Sequence, residues 1–252
     1  MIKALVNKHV LKLYDSIEDM PILNFQKYNK FLLIDSGIGS TLDDYNEHIN
    51  RIIRHINESN QKNLMIELSN TRQLLYMINQ EISPKYMAFA ALIAEIDGKP
   101  VTDLSDDNLR SILQQLRDVK HGWLISKLAE LKKKVETELE LNFPKMFNSA
   151  KDKEAFSKLK ERTLLELESL ISGDNMAEKI NKIESFLFNM FKPKTFIGPE
   201  SVEISHDKSF ENTCIAIKSK LNLEAKSLSV LSFYNALEAL NKMAEEYKSK
   251  KK

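Results

Sequence analysis

Apolar residues recur at helical spacing through most of the chain, and only its first stretch alternates. Ile2, Ala4 and Val6 alternate with other residues, and residues 10–14 are rich in apolar side chains. With Asn7-Lys8-His9 as a turn, this pattern predicts a two-stranded hairpin. A lone hairpin is marginal, so it is expected to dock on helices or on another subunit.

Residues 15–21 break the pattern, and a helix follows from about Leu23 to Asp35 with Phe25, Tyr28, Phe31 and Leu32 on one face. Gly37-Ile38-Gly39 stops it. Ser40 or Thr41 caps the next helix, with Asp43 and Asp44 in the first turn where the dipole favours negative charge. Its expected apolar face is Leu42, Tyr45, Ile49, Ile52, Ile53 and Ile56. After a turn at 57–60, Leu64, Leu68, Leu75 and Ile78 keep a helical period to about Glu81. Ser83-Pro84 opens the most apolar helix, predicted over 85–96, because proline is tolerated in a first turn. Apolar residues surround it, which makes it the expected buried centre of an N-terminal bundle.

Asp97-Gly98-Lys99-Pro100 is read as the end of that helix, and residues 102–107 as a cap before a short helix carrying Leu109, Ile112, Leu113 and Leu116. The texture changes near Lys120 to Gly122. Leu124, Leu128, Leu131, Val135 and Leu139 then fall at spacings of 4, 3, 4 and 4. Phe156, Leu159, Thr163, Leu167 and Leu170 repeat at 3, 4, 4 and 3. Two such stripes predict an antiparallel helical hairpin. A helix over 176–191 ends in Phe186, Leu187, Phe188, Met190 and Phe191. Residues 192–207 read as irregular, with a short strand pair at 196–197 and 202–204, before helices over 208–221 and 227–248 and the tail Lys250-Lys251-Lys252. No repeat recurs at a solenoid period. The expected fold is mainly α. It has an N-terminal helical bundle with a small β-hairpin (1–120), a long helical hairpin with a following helix (121–191), and an irregular linker with C-terminal helices (192–252).

Composition narrows the function classes. Six glycines and six prolines among 252 residues favour long helices over a turn-rich sheet. The 37 basic residues nearly cancel the 36 acidic ones, which argues against a protein that coats nucleic acid. Cys214, the single cysteine, excludes an internal disulfide or a multi-cysteine zinc site. Lys3, Lys8 and Lys12 interrupt any signal-peptide core. The longest apolar run, 87–94, is far short of the roughly 20 residues of a membrane span. A reducing, aqueous compartment is expected.

Candidate chemistry is sparse. Asp35-Ser36-Gly37-Ile38-Gly39-Ser40 lacks the third glycine of a dinucleotide fingerprint and follows a helix where a strand is required, so it reads as a helix–turn–helix joint. His48 and His55 share a helix face without a third ligand, which suggests a solvated polar face. His9, His121 and His206 are isolated. Asp103, Asp106 and Asp107 lack the glycine and glutamate of a calcium loop and read as capping residues. Cys214 reads as a small buried hydrophobe. Lys127 and Lys132 to Lys134 are interleaved with Glu136, Glu138 and Glu140 at the spacing of exposed helix pairs, so a phosphate contact there is weakly supported. Trp123 suits a packing or a partner contact. No catalytic, cofactor-binding or metal-ligating residue is assigned. The apolar C-terminal third, with Phe186 to Phe191, Phe196-Ile197 and the Leu231, Tyr234, Leu237 and Leu240 stripe, is surplus surface for a partner or ordinary core.

Leu13-Tyr14-Asp15-Ser16-Ile17-Glu18-Asp19-Met20-Pro21, Phe25-Gln26-Lys27-Tyr28-Asn29-Lys30 and the Asp35 to Ser40 segment resemble the opening of structural proteins of tailed bacteriophages, those of Bacteroides-infecting, crAss-like phages above all. Leu228-Ser229-Val230-Leu231-Ser232-Phe233-Tyr234 adds to the likeness, which covers about the first 115 and last 30 residues. It implies a non-enzymatic virion protein, assembled in the bacterial cytoplasm, in a homo-oligomeric ring of the neck between portal and tail. Portal, neighbouring ring and tail proteins would then be its partners. The alternative is a morphogenesis chaperone of tail or capsid that the particle does not retain.

Overall fold

The computed structural model describes residues 1–6, 8–117, 121–147, 150–190 and 193–249. The turn residue Asn7, the junction at Lys120, Phe191 and the Lys250 to Lys252 tail lie outside them. Helix accounts for 72% of the protein, so the sheet is an appendage to a helical framework.

Strands β1 (Ile2–Val6) and β2 (His9–Leu13) form the expected hairpin, with Ile2 opposite Leu13. The sheet does not stop there. The apolar run predicted as one helix over 85–96 divides into α4 (Pro84–Ala91) and β3 (Ile93–Ile96), followed by the two-residue β4 (Lys99–Pro100). The antiparallel order is β1-β2-β3-β4. A short all-apolar run suits a buried strand as well as a buried helix. What decides is Asp97-Gly98, both at positive φ (51° and 78°), which makes a tight hairpin turn between β3 and β4. The Asp97 carboxylate also accepts from the Val10 N–H at 2.8 Å, locking this turn to β2.

Helix α1 (Ile22–Ile38) crosses α4, and the buried Asn24 amide donates to the Ala91 carbonyl at 2.9 Å where α4 ends. Leu11, Leu13, Ile17, Met20, Met87, Phe89, Leu92 and Ile93 are fully buried between sheet and helices. Helices α2 (Leu42–Asn57) and α3 (Gln61–Asn79) form an antiparallel pair, and α5 (Asp106–Gln115) packs on α4 through Leu109 and Ile112.

Helix α6 (His121–Asn142) buries the stripe Leu124, Leu128, Leu131, Val135 and Leu139. It is anchored by polar contacts as well. The Glu138 carboxylate accepts from the Ser16 hydroxyl and the Ile17 N–H, and the Lys134 ammonium reaches Asp15 at 2.6 Å. Further on come α7 (Pro144–Phe147), α8 (Ala150–Ser172) and α9 (Ala177–Met190). A helical hairpin is present here, but α8 takes α9 as its partner, and the α6 stripe is used on the segment around Asp15. The expected α8 stripe is exposed at Phe156, Leu159, Leu167 and Leu170.

The strand pair expected around 196–204 is absent among the described residues. Val202 to Ile204 are the first turn of α10 (Val202–Leu221), started by the Ser201 hydroxyl on the Glu203 N–H. The final helix is α11 (Val230–Ser249). The chain divides into two compact units, residues 1–139 with 194–252 and residues 140–193. In the first, the N-terminal and C-terminal segments are joined by backbone bonds. Ile22 N–H donates to Leu228, Val230 N–H to Met20 and Leu231 N–H to Ile17, all at 2.9–3.0 Å. Part of the apolar C-terminal stretch is core here: Phe196, Val230, Phe233 and Ala236 are buried, Phe233 stacks on Phe210 at 5.7 Å and Tyr234 lies edge-on to Phe25 at 6.1 Å, whereas Ile197 is exposed.

Candidate interaction surfaces

The α2–α3 pair is built inside out relative to its hydrophobic pattern. The inward residues of α2 are His48, Ile52 and His55, and those of α3 are Glu67, Asn70, Thr71, Leu74 and Met77. His48 and His55 are 1% and 0% exposed, which overturns the solvated face expected for them. The His48 Nε2 faces the Ile38 carbonyl at 2.8 Å, so that nitrogen carries a hydrogen. Its Nδ1 lies 2.5 Å from Glu67 Oε2, a contact that needs one more shared hydrogen. The Arg51 guanidinium stands 3.7 Å from Glu67 Oε1. A polar seam of this kind resists rotation, because turning either helix breaks the His48 contacts to Glu67 and Ile38.

The rotation it fixes leaves apolar side chains outside. Leu42, Ile53 and Ile56 on α2 are exposed, as are Met65, Leu68, Leu75 and Tyr76 on α3. On α2 these residues lie eleven and three apart and on α3 three, seven and one apart, which at 3.6 residues per turn keeps each set within about 100° of arc on one side. Half of the predicted apolar face of α2, Leu42, Ile53 and Ile56, is thus surface, while Ile52 is buried and Tyr45 and Ile49 are half-buried. Contiguous exposed apolar side chains of this kind are a candidate contact surface.

The other residues singled out by the sequence serve structure. The Asp35 to Ser40 segment is the joint between α1 and α2. Gly39 takes φ 84°, and the Asp44 carboxylate closes a capping box by accepting from Ser40 and Thr41. Gly37 has another role, since a Cβ there would collide with the buried Phe196 ring. Asp103 accepts from Ser105, whose hydroxyl caps α5, and Asp106 pairs with Lys27 at 2.5 Å. Cys214 is buried, and burial pushes its thiol up, away from reactivity. The basic group is divided among partners: Lys127 on Glu130, Lys132 near Glu136 and Lys134 on Asp15. Trp123 meets Phe89 edge-on at 6.0 Å, and an open groove of about 340 Å³ lies beside it, bounded by Ala4, Leu5 and Lys127. Among the described residues no cluster of three or more His, Cys, Asp or Glu could hold a metal. No described helix is long and apolar enough to cross a membrane.

No protein family, curated protein or solved structure matches the chain.

Proposed function

We propose that the chain is a non-enzymatic assembly subunit of a tailed-phage particle, part of a homo-oligomeric ring in the neck that joins portal and capsid to tail. The observation that carries an assembly role is the outward apolar face of α2 and α3, held outward by the buried His48–Glu67 seam. Burying Leu42, Ile53, Ile56, Met65 and Tyr76 needs a second surface, and a neighbouring subunit supplies one. The particle follows from the resemblance of residues 13–21 and 228–234, which meet through the backbone bonds between Ile17, Met20, Ile22 and Leu228 to Leu231.

The test is quantitative mass spectrometry of purified particles. The chain is expected at a fixed copy number, and Ile53→Lys with Ile56→Lys is expected to abolish incorporation while leaving the helical circular dichroism intact. If the protein is made during infection and is absent from finished particles, the virion reading fails in favour of a morphogenesis chaperone.

A further inference from the structure

The sheet is blunted at one edge and open at the other. On the β4 side the last strand is two residues long and one of them is Pro100. On the β1 side the strand has five residues, no proline and an unbroken register with β2. Val10 fixes which backbone groups that strand leaves free. Its N–H donates to the Asp97 carboxylate at 2.8 Å, and its carbonyl accepts from the Asp97 N–H at 2.9 Å, so Val10 faces away from β1. Opposed residues of an antiparallel pair either both face each other or both face away. Leu5, opposite Val10, therefore turns its N–H and carbonyl to the free edge, and Lys3, opposite Lys12, does the same. Two donors and two acceptors stand there at ladder spacing.

A groove of about 340 Å³ adjoins them, bounded by Ala4, Leu5, Trp123, Ser126, Lys127 and Glu130. Ala4 and Leu5 are consecutive strand residues with side chains on opposite faces, so a groove that touches both lies along the edge. Its far wall is one side of α6. That wall offers β1 side chains only, because the backbone groups inside a helix are paired within it. The edge can be completed by an extended backbone, one strand spacing of about 4.8 Å from β1.

The side chains of β1 specify the occupant. Leu5 is 75% exposed, and Lys3 is exposed with no ion pair among the described residues. A strand that continues the antiparallel order sets an apolar residue against Leu5 and, two positions later, an acidic residue against Lys3. The residue between them opposes Ala4 and turns to the inner face, where Trp123 lies against Phe89. A second copy of β1 does not satisfy this pattern, since antiparallel pairing about Ala4 sets each Lys3 ammonium against the other copy's Leu5.

We propose that β1 accepts an extended segment of a partner protein as a fifth, antiparallel strand in the groove between β1 and α6. The segment carries an apolar, an intervening and an acidic residue opposite Leu5, Ala4 and Lys3. The site uses no residue of the α2–α3 face and stands independently of the phage reading.

The probe is a dye-labelled peptide, Thr-Thr-Ile-Val-Glu-Thr-Thr, mixed with the full chain at about 1 to 500 μM, the range of weak recognition, and read by fluorescence anisotropy. N-methylation of its isoleucine and glutamate amides removes the donors to the Leu5 and Lys3 carbonyls and should weaken binding about 30-fold. N-methylation of the valine and the threonine after the glutamate, whose amides point away from β1, should change it by less than about twofold. Replacing the peptide's glutamate by lysine should weaken binding about fivefold, and Lys3→Glu should reverse that preference. Leu5→Pro removes an N–H that serves no bond within the sheet, so circular dichroism should be unchanged while binding falls about tenfold. The proposal is overturned if the peptide does not bind in this range, if the two methylation patterns act alike, or if Lys3→Glu still prefers glutamate. It is equally overturned if folded Leu5→Pro binds like the parent, or if the chain alone forms a dimer that Leu5→Pro abolishes, since a second copy would then hold the edge.

Discussion

Removing one member of the His48–Glu67 pair should be far worse than removing both. Glu67→Leu deletes the carboxylate but leaves the His48 Nδ1 facing a hydrocarbon at a site where the ring is 1% exposed. Orphaning one member of a buried, hydrogen-bonded polar pair costs about 1 to 3 kcal/mol, most of it the desolvation of the partner left behind. At roughly 2–4 °C per kcal/mol for a chain of this size, the upper figure predicts a fall in Tm of about 6–12 °C. In the double variant His48→Leu, Glu67→Leu, two leucines of related volume replace the pair, the Ile38 carbonyl loses its donor, and the half-exposed Arg51 guanidinium keeps Glu47 and solvent. Its stability should lie within about 1 kcal/mol of the parent, and the coupling energy of the cycle should exceed about 2 kcal/mol. Urea unfolding at neutral pH, followed by Trp123 fluorescence, reports on the unit that contains the pair. If Glu67→Leu costs less than about 1 kcal/mol, or if the double variant costs the sum of the singles, the seam does not hold these helices in the way described.

Three further outcomes can be checked in the same way. Gly37→Ala gains up to about 1 kcal/mol of helix propensity but meets the Phe196 ring, so a net loss of about 1–2 kcal/mol is expected, relieved by Phe196→Leu. Burial pushes the Asp15 carboxyl up, yet the Lys134 ammonium and the Met1 amine outweigh it and hold the group below its ordinary 3.8. The ionised carboxylate therefore stabilises the fold above pH 3.8, and this is lost as pH falls through the lowered value. Lys134→Gln removes one of the two cations that hold the group down, so its folded-state value rises and the acid unfolding midpoint should move to higher pH. Acid titration of Trp123 fluorescence reads that shift, and an unmoved midpoint would count against the pairing. Burial pushes the Tyr234 phenol up to about 12. Because the neutral phenol is favoured in the fold, its contribution is present below pH 10 and is lost as pH rises towards 12. Tyr234→Phe should accordingly leave the phenolate absorbance rise between about pH 9 and 11 unchanged.

Helix positions were legible because apolar spacing and caps act locally: Thr41, Ser105 and Pro84 each start a helix where the sequence places one. The third strand was not read correctly, although Asp97-Gly98 is the strongest local hairpin signal in the chain. Its weight was hidden by the apolar run before it, which satisfies helix and strand patterns equally. Helix facing was the least legible. The hydrophobic pattern put Leu42, Ile53 and Ile56 inward, while His48 and His55 lie there. No local rule contains the reason, because the partner of His48 is Glu67, 19 residues away on another helix. The α8 stripe was found, but its partner could not be inferred from spacing alone. Ala155, Arg162 and Leu165 form a weaker pattern than the exposed leucines, and yet α9 packs against them.

These two misassigned faces share a physical cause. A helix buries its apolar stripe by default, since burial returns roughly 25 cal/mol per Å². Where the stripe stays outside, something inward must outweigh it or something outside must cover it. In α2 the inward reason is visible, a polar seam whose members would be orphaned by rotation. In α8 the inward side offers Ala155, Leu165 and an ion pair to Glu184 among the described residues, while Phe156, Leu170 and Ile171 stand in solvent. Leu167 is exposed as well, so Leu167→Lys should change the unfolding free energy by no more than about 0.5 kcal/mol, and a larger loss in urea titration would show that the residue is covered.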